Sequence, residues 1–191
     1  MLSIAEIARN TQGALRMLQL DPAAPFQFDN TREACLRSFR VIALAAPLYV
    51  FYVLIHYTKV EPKADEWEIV LIESLRYVVD WLLYPMIFYE IASRRGWLGL
   101  YARYITALNW INLPAIIVAV MGTAAASVAP APFSSFILIA LQGLFFYWFL
   151  VATRLVLNVS WPMAGLLLVI NWVPTMFLSL LVDRLVGVAA S

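Results

Sequence analysis

A single cysteine and a single histidine leave little for thiol or metal chemistry. With only Cys35 in a chain of 191 residues, neither an intramolecular disulfide nor a cysteine-based metal cluster can be built. His56, equally alone, excludes paired-histidine metal sites, and no H-E-x-x-H, G-x-S-x-G or P-loop pattern is present. Charge is scarce too: Asp, Glu, Lys and Arg make up 13% of residues, with a net charge of +1 and no basic patch of the kind that binds nucleic acid. No metal, cofactor or catalytic residue is assigned from the sequence. Ser74, Ser134, Ser160 and Ser179 have no evident base beside them, and the expectation is a protein that is not an enzyme.

What is abundant is apolar surface. Hydrophobic residues make up 63% of the chain and its mean hydropathy is +0.82, outside the range of soluble globular domains. A bilayer crossing needs roughly 20 mostly apolar residues. Five stretches meet that length: 38–57, 69–91, 104–126, 133–153 and 161–182. The expected fold is therefore all-α, a polytopic transmembrane bundle over 37–185 of about five spans with short connections. Pro130 and Pro132 mark the sharpest turn, whereas Pro47, Pro85, Pro114 and Pro174 fall inside spans, where neighbouring helices can tolerate a kink.

Ahead of the spans, residues 1–36 form an N-terminal segment. Residues 3–19 place Glu6, Arg9, Gln12, Arg16 and Gln19 opposite Ile4, Ile7, Thr11, Ala14, Leu15 and Leu18 at helical spacing. Such an amphipathic helix suits a membrane surface. Asp21-Pro22 is expected to end it, and Asn30 followed by Glu33 to start the next helix. Charges scattered through residues 1–40 do not resemble a cleaved signal peptide, so the first span is expected to be retained.

Orientation follows from the cationic residues. Arg9, Arg16, Arg32, Arg37, Arg40, Arg94, Arg95, Arg103 and Arg154 share one side of a five-span arrangement, leaving Lys59, Lys63 and Arg184 on the other. The positive-inside rule puts the N-terminus in the cytoplasm and the short tail, 186–191, outside, in a multi-pass protein of the cytoplasmic (inner) membrane.

The most informative polar residues lie inside the spans. Glu73, Arg76 and Asp80 share one face of the second span at offsets of three and four. Asp80 falls near the midplane, with Arg76 roughly 6 Å and Glu73 about 10 Å further out. Charges at such depth should face protein or water. Tyr49, Tyr52 and His56, on one face of the first span, are the expected partners of this triad. Asn112, Gln142 and Asn171 reach a similar depth to Asp80 in the remaining spans. Amides in such a layer commonly join helices by hydrogen bonds; alternatively they line a polar site or solute path. Trp67, Trp97, Tyr57, Tyr101, Tyr104 and Trp161, near span ends, are expected as interfacial anchors.

An N-terminal run, ALRMLQLDPAAPFQFDNTREACLRSFRV, carries a Leu-x-x-Asp-Pro and a Phe-Asp ahead of the first span. With the five-span outline, it resembles the Yip family and its uncharacterised bacterial relatives. The resemblance covers the whole chain as architecture and carries over no catalytic residues. It implies a non-enzymatic membrane protein; with no cofactor motif or soluble domain but a surface helix and a polar interior, the chain is expected to act by association, as an accessory subunit, scaffold or membrane-organising factor. The expected partners are the lipid bilayer and a membrane protein or second copy of the chain. The alternative is a small oligomeric transporter or channel with a polar midplane site around Asp80 and Arg76.

Overall fold

The structure, a computed structural model, describes residues 2–188; the expected outside tail lies beyond them from residue 189 onward. Among the described residues all regular structure is helical. An N-terminal segment of α1 (Ile4–Leu18), a 3-10 turn (Ala24–Gln27) and α2 (Arg32–Ser38) leads into five longer helices. These are α3 (Val41–Tyr57), α4 (Glu66–Arg95), α5 (Leu98–Val128), α6 (Ala131–Leu157) and α7 (Trp161–Val186). Pro47, Pro85, Pro114 and Pro174 all lie within helices.

Length and apolarity alone qualify four runs to cross a membrane: Arg32–Tyr57, Leu98–Val128, Ala131–Leu157 and Trp161–Val186. These fit a membrane-embedded protein. At 30 residues α4 is long enough as well, but its carboxylates and arginines lower its apolarity. Its ends are well defined. The Asp65 backbone N–H donates to Glu68 Oε2 at 3.2 Å, and Gly96 closes the other end in the left-handed conformation with φ of 72°.

Helix α5 is the hub. It packs against α3, α4 and α6 and against the N-terminal helices α1 and α2, while α7 seals against α4 and α6. The densest packing lies at one end, where α4 finishes, α5 begins and α6 finishes. Phe88, Tyr104, Ile105, Trp110 and Trp148 are all buried there, with Met17 and Phe28 from the N-terminal segment. Towards the other end Leu54, Leu75, Met121, Phe136, Ile139 and Leu181 are exposed. Exposed apolar side chains of this kind are what lipid would solvate, and lipid removes most of the hydrophobic drive for helices to close on one another. That end is tied instead by polar contacts. Lys59 Nζ donates to the Ser127 carbonyl at 2.7 Å, and the Lys63 N–H to the Val186 carbonyl at 2.9 Å.

One expectation for the N-terminal segment needs correcting, the cap of α2, and the packing of α1 adds a detail to another. The side of α1 that is covered by protein runs along Asn10, Gly13, Ala14 and Met17, whereas Ile4 and Leu15 are exposed. This stripe at i, i+3, i+4 and i+7 packs onto α5 and α6, and Trp148 Nε1 donates to the Ala14 carbonyl at 2.8 Å. The cap of α2 is Thr31, whose Oγ1 accepts the Ala34 N–H, and not Asn30. Asn30 is occupied elsewhere: its amide donates to the Gly99 carbonyl at 2.7 Å and accepts from the Arg103 N–H at 3.0 Å, stitching the segment to α5.

Gly13 marks the closest approach. A Cβ there would lie 2.8 Å from Gln27 Cβ and 3.0 Å from Phe28 Cζ, whereas one at Gly99 would meet nothing within 4 Å. Ala is the better helix former by about 1 kcal/mol, but overpacking costs about 1–3 kcal/mol. Gly13→Ala should therefore loosen the N-terminal segment, and Gly99→Ala should leave it unchanged or firmer. Limited proteolysis within residues 19–31 measures both, and equal cleavage of the two variants would contradict this packing.

Candidate functional site

Glu73 is the most enclosed charged residue of α4. Its side chain receives two hydrogen bonds from α3, with Tyr49 Oη donating to Oε2 at 2.7 Å and Tyr57 Oη to Oε1 at 3.0 Å. Arg76 follows one turn on. Its Nη1 lies 3.6 Å from Glu73 Oε1 and its Nε 3.8 Å from Asp80 Oδ2, so it forms an ion pair with each carboxylate. Its Nη2 also donates to Ser179 Oγ on α7 at 3.0 Å.

Of the expected tyrosine and histidine partners, only Tyr49 bonds to the triad; Tyr52 and His56 make no hydrogen bond to it among the described residues. Tyr57, expected as an interfacial anchor, serves instead. It stands eight residues beyond Tyr49, a spacing that belongs to the same broad helical stripe, so a pattern signal for it exists.

Asp80 is less fully answered. Its Oδ1 is buried without a hydrogen-bond partner, and the residue lines an open cavity of about 410 Å³ between α3, α4, α5, α6 and α7. Asn112, Gln142 and Asn171 line the same cavity, so the structure brings the four residues of the expected midplane layer to one space. Glu73 and Arg76 do not line it. The expected polar cluster thus divides into a pair away from the cavity, a buried Glu73 with a half-buried Arg76, and a second group around open volume. Aromatic walls surround that group, among them Tyr77, Trp81, Phe146 and Trp172.

The amide side chains of Asn112, Gln142 and Asn171 form no hydrogen bond to one another or to other protein groups among the described residues; the bond at Asn171 is to its backbone carbonyl, from Thr175 Oγ1. Amides acting only as ties between helices would be expected to bond to one another. Two further lining residues escaped the sequence reading. Asn109 is buried and donates to Ser38 Oγ at 2.9 Å, and Thr175 sits one turn beyond Asn171. Their offsets of three from Asn112 and four from Asn171 put them on the cavity-facing sides, which is the signal that would have found them.

Next to the cavity, whose wall includes Tyr84, a buried hydroxyl chain joins three helices. Tyr104 Oη lies 3.0 Å from Tyr84 Oη and 2.7 Å from Thr153 Oγ1, so each hydroxyl has a partner and the chain ties α4, α5 and α6. Tyr104, expected as an interfacial anchor, is thus a fully buried core residue. Among the described residues no three of His, Cys, Asp and Glu gather where they could hold a metal ion.

No protein-family model, curated protein sequence or solved structure matches this chain.

Removing one hydroxyl from Glu73 tests the pair of Glu73 and Arg76 directly. A hydrogen bond to a charged group contributes about 1.5–3 kcal/mol. Tyr49→Phe should lower the midpoint of thermal unfolding in detergent by the equivalent of that amount, and Tyr52→Phe should not change it measurably. Equal effects of the two substitutions would show that the hydroxyl bond to Glu73 carries no weight.

Proposed function

We propose that this chain is a five-span membrane protein that takes a small solute into a polar cleft between its helices, as the working part of a small oligomeric transporter or channel. The observation that carries this reading is the convergence of Asp80, Asn112, Gln142 and Asn171 on one cavity, with three amides left unbonded to protein. Asn112 and Gln142 are exposed and Asn171 is half-buried, so these amides are open to whatever fills the cleft. A small polar solute entering the cleft would find their donors and acceptors uncommitted to protein, and about 410 Å³ lies within the usual range for small-molecule sites. An accessory subunit or scaffold would share the five-span outline of Yip-like proteins but gives these amides no task.

In this reading α4 is the fifth span. Its charges are compatible with that depth because Arg76 is paired with both carboxylates and Glu73 is bonded to two tyrosines. The N-terminal segment, with its arginines, gathers against the start of α5 and the end of α6. The positive-inside rule assigns that end to the cytoplasm of the inner membrane.

Two measurements test this. In a Cys35→Ser background, Asn112→Cys, Gln142→Cys and Asn171→Cys should react with a water-soluble maleimide in membrane vesicles, while the lipid-facing Ile139→Cys should not. Failure of all three to react would sink the cleft. A reporter fused to the C-terminus should read as outside; a cytoplasmic signal would mean that α4 does not cross and that four spans are correct.

A further inference from the structure

A second cavity, of about 470 Å³, opens where the N-terminal segment meets the start of α5 and the end of α6. Two arginines from different helices line it: Arg103, early in α5, and Arg154, in the last turn of α6. Each is positioned by the protein without being neutralised by it. Arg103 Nε donates to the Phe28 carbonyl at 3.2 Å, and its guanidinium lies 5.4 Å from the centre of the Phe26 ring. Arg154 Nη1 donates to the Val159 carbonyl at 3.4 Å, and its guanidinium lies 4.8 Å from the centre of the Trp161 ring.

A guanidinium has five N–H donors, and in each of these arginines one is committed to a main-chain carbonyl. Neither forms an ion pair. Among the described residues the paired arginines are Arg9, Arg37, Arg76 and Arg94. Two half-buried positive charges therefore share one pocket with no carboxylate on its wall. The remaining wall is largely apolar, with Pro22, Pro25, Phe26 and Leu155.

We propose that this pocket binds the phosphate of an anionic phospholipid headgroup. Arg103 and Arg154 grip the phosphate oxygens, and the apolar wall receives the start of the lipid's glycerol and acyl portion. Arginine suits this task because its planar fork donates two parallel hydrogen bonds to a phosphate, and stacking on an aromatic ring orients the fork beforehand. The phosphodiester's single negative charge offsets half of the +2 that the two arginines leave in the pocket. The inference rests on the membrane placement of the bundle but not on the solute cleft; the maleimide experiment can fail while this site stands, and the reverse.

The test uses the full chain in detergent, with native mass spectrometry or calorimetry reading the binding of dihexanoyl phosphatidylglycerol, dihexanoyl phosphatidylcholine and inorganic phosphate. The phosphatidylglycerol should bind at least about tenfold more tightly than the zwitterionic lipid. Arg103→Gln with Arg154→Gln should abolish that preference. Arg94→Gln with Arg95→Gln, which removes the same charge from exposed positions at the same end, should keep it. Because Arg103 also anchors Phe28, Arg154→Gln alone serves as a second variant and should lose most of the preference while remaining folded and monodisperse in detergent. Equal binding of the two lipids, or an equal loss in the Arg94 and Arg95 control, would overturn the site. Inorganic phosphate competing as tightly as phosphatidylglycerol would overturn the lipid and assign the pocket to a soluble phosphate.

Discussion

Charge held among apolar helices has to be answered by opposite charge or by hydrogen bonds, because hydrocarbon supplies neither. In α4 that requirement falls on Glu73, Arg76 and Asp80, and the way each is met arranges the helices around it. Tyr49 and Tyr57 bring α3 to Glu73, and Ser179 brings α7 to Arg76. A helix that would gain little by packing its apolar side chains is thereby fastened on two flanks. Asp80, with one oxygen unpartnered, is left at the edge of the central cavity. The same charge pairing that makes α4 compatible with a bilayer also places one incompletely satisfied carboxylate beside open volume.

Packing is distributed unevenly along the bundle for a related reason. Where lipid can solvate apolar side chains as well as protein can, close packing needs shape complementarity and polar ties rather than hydrophobicity alone. One end has both. Trp148 donates to Ala14, Asn30 bridges to α5, and the hydroxyl chain of Tyr84, Tyr104 and Thr153 links three helices. The N-terminal segment thus serves as a plug on that end as well as a candidate surface helix, and it supplies one wall of the pocket containing Arg103 and Arg154. The opposite end, held by the contacts of Lys59, Lys63, Glu73 and Arg76, lacks that apolar packing and leaves its leucines and phenylalanines facing outward.

Depth along a helix was the part of the site most legible beforehand. Because each residue advances an α-helix by 1.5 Å, the positions of Asp80, Asn112, Gln142 and Asn171 within their spans are enough to put them in one layer, and all four line one cavity. Rotation about the helix axis was legible only in part. The face carrying Tyr49 was recognised, but which tyrosine reaches Glu73 depends on how α3 leans against α4, and Tyr57 takes the place expected of Tyr52 and His56. Similarly, the apolar stripe of α1 is clear in the sequence, yet the protein covers Asn10 and Gly13 and leaves Ile4 exposed. Close approach to Phe28 requires a residue without a side chain, and a hydropathy pattern scores such a residue as neutral.

That this is a helical chain with long apolar runs, where those runs lie, and which polar residues share a level within them can all be read along the chain. Those properties follow from composition and from the fixed rise of the helix, and they need no knowledge of neighbours. That the Asn112, Gln142 and Asn171 amides border open space instead of bonding to one another, that Glu73 is enclosed by tyrosines, and that Arg103 and Arg154 meet in one pocket emerges once the helices are assembled. Each of these depends on the rotation and tilt of helices far apart in the chain. Packing across the whole bundle sets those angles, which no local pattern encodes.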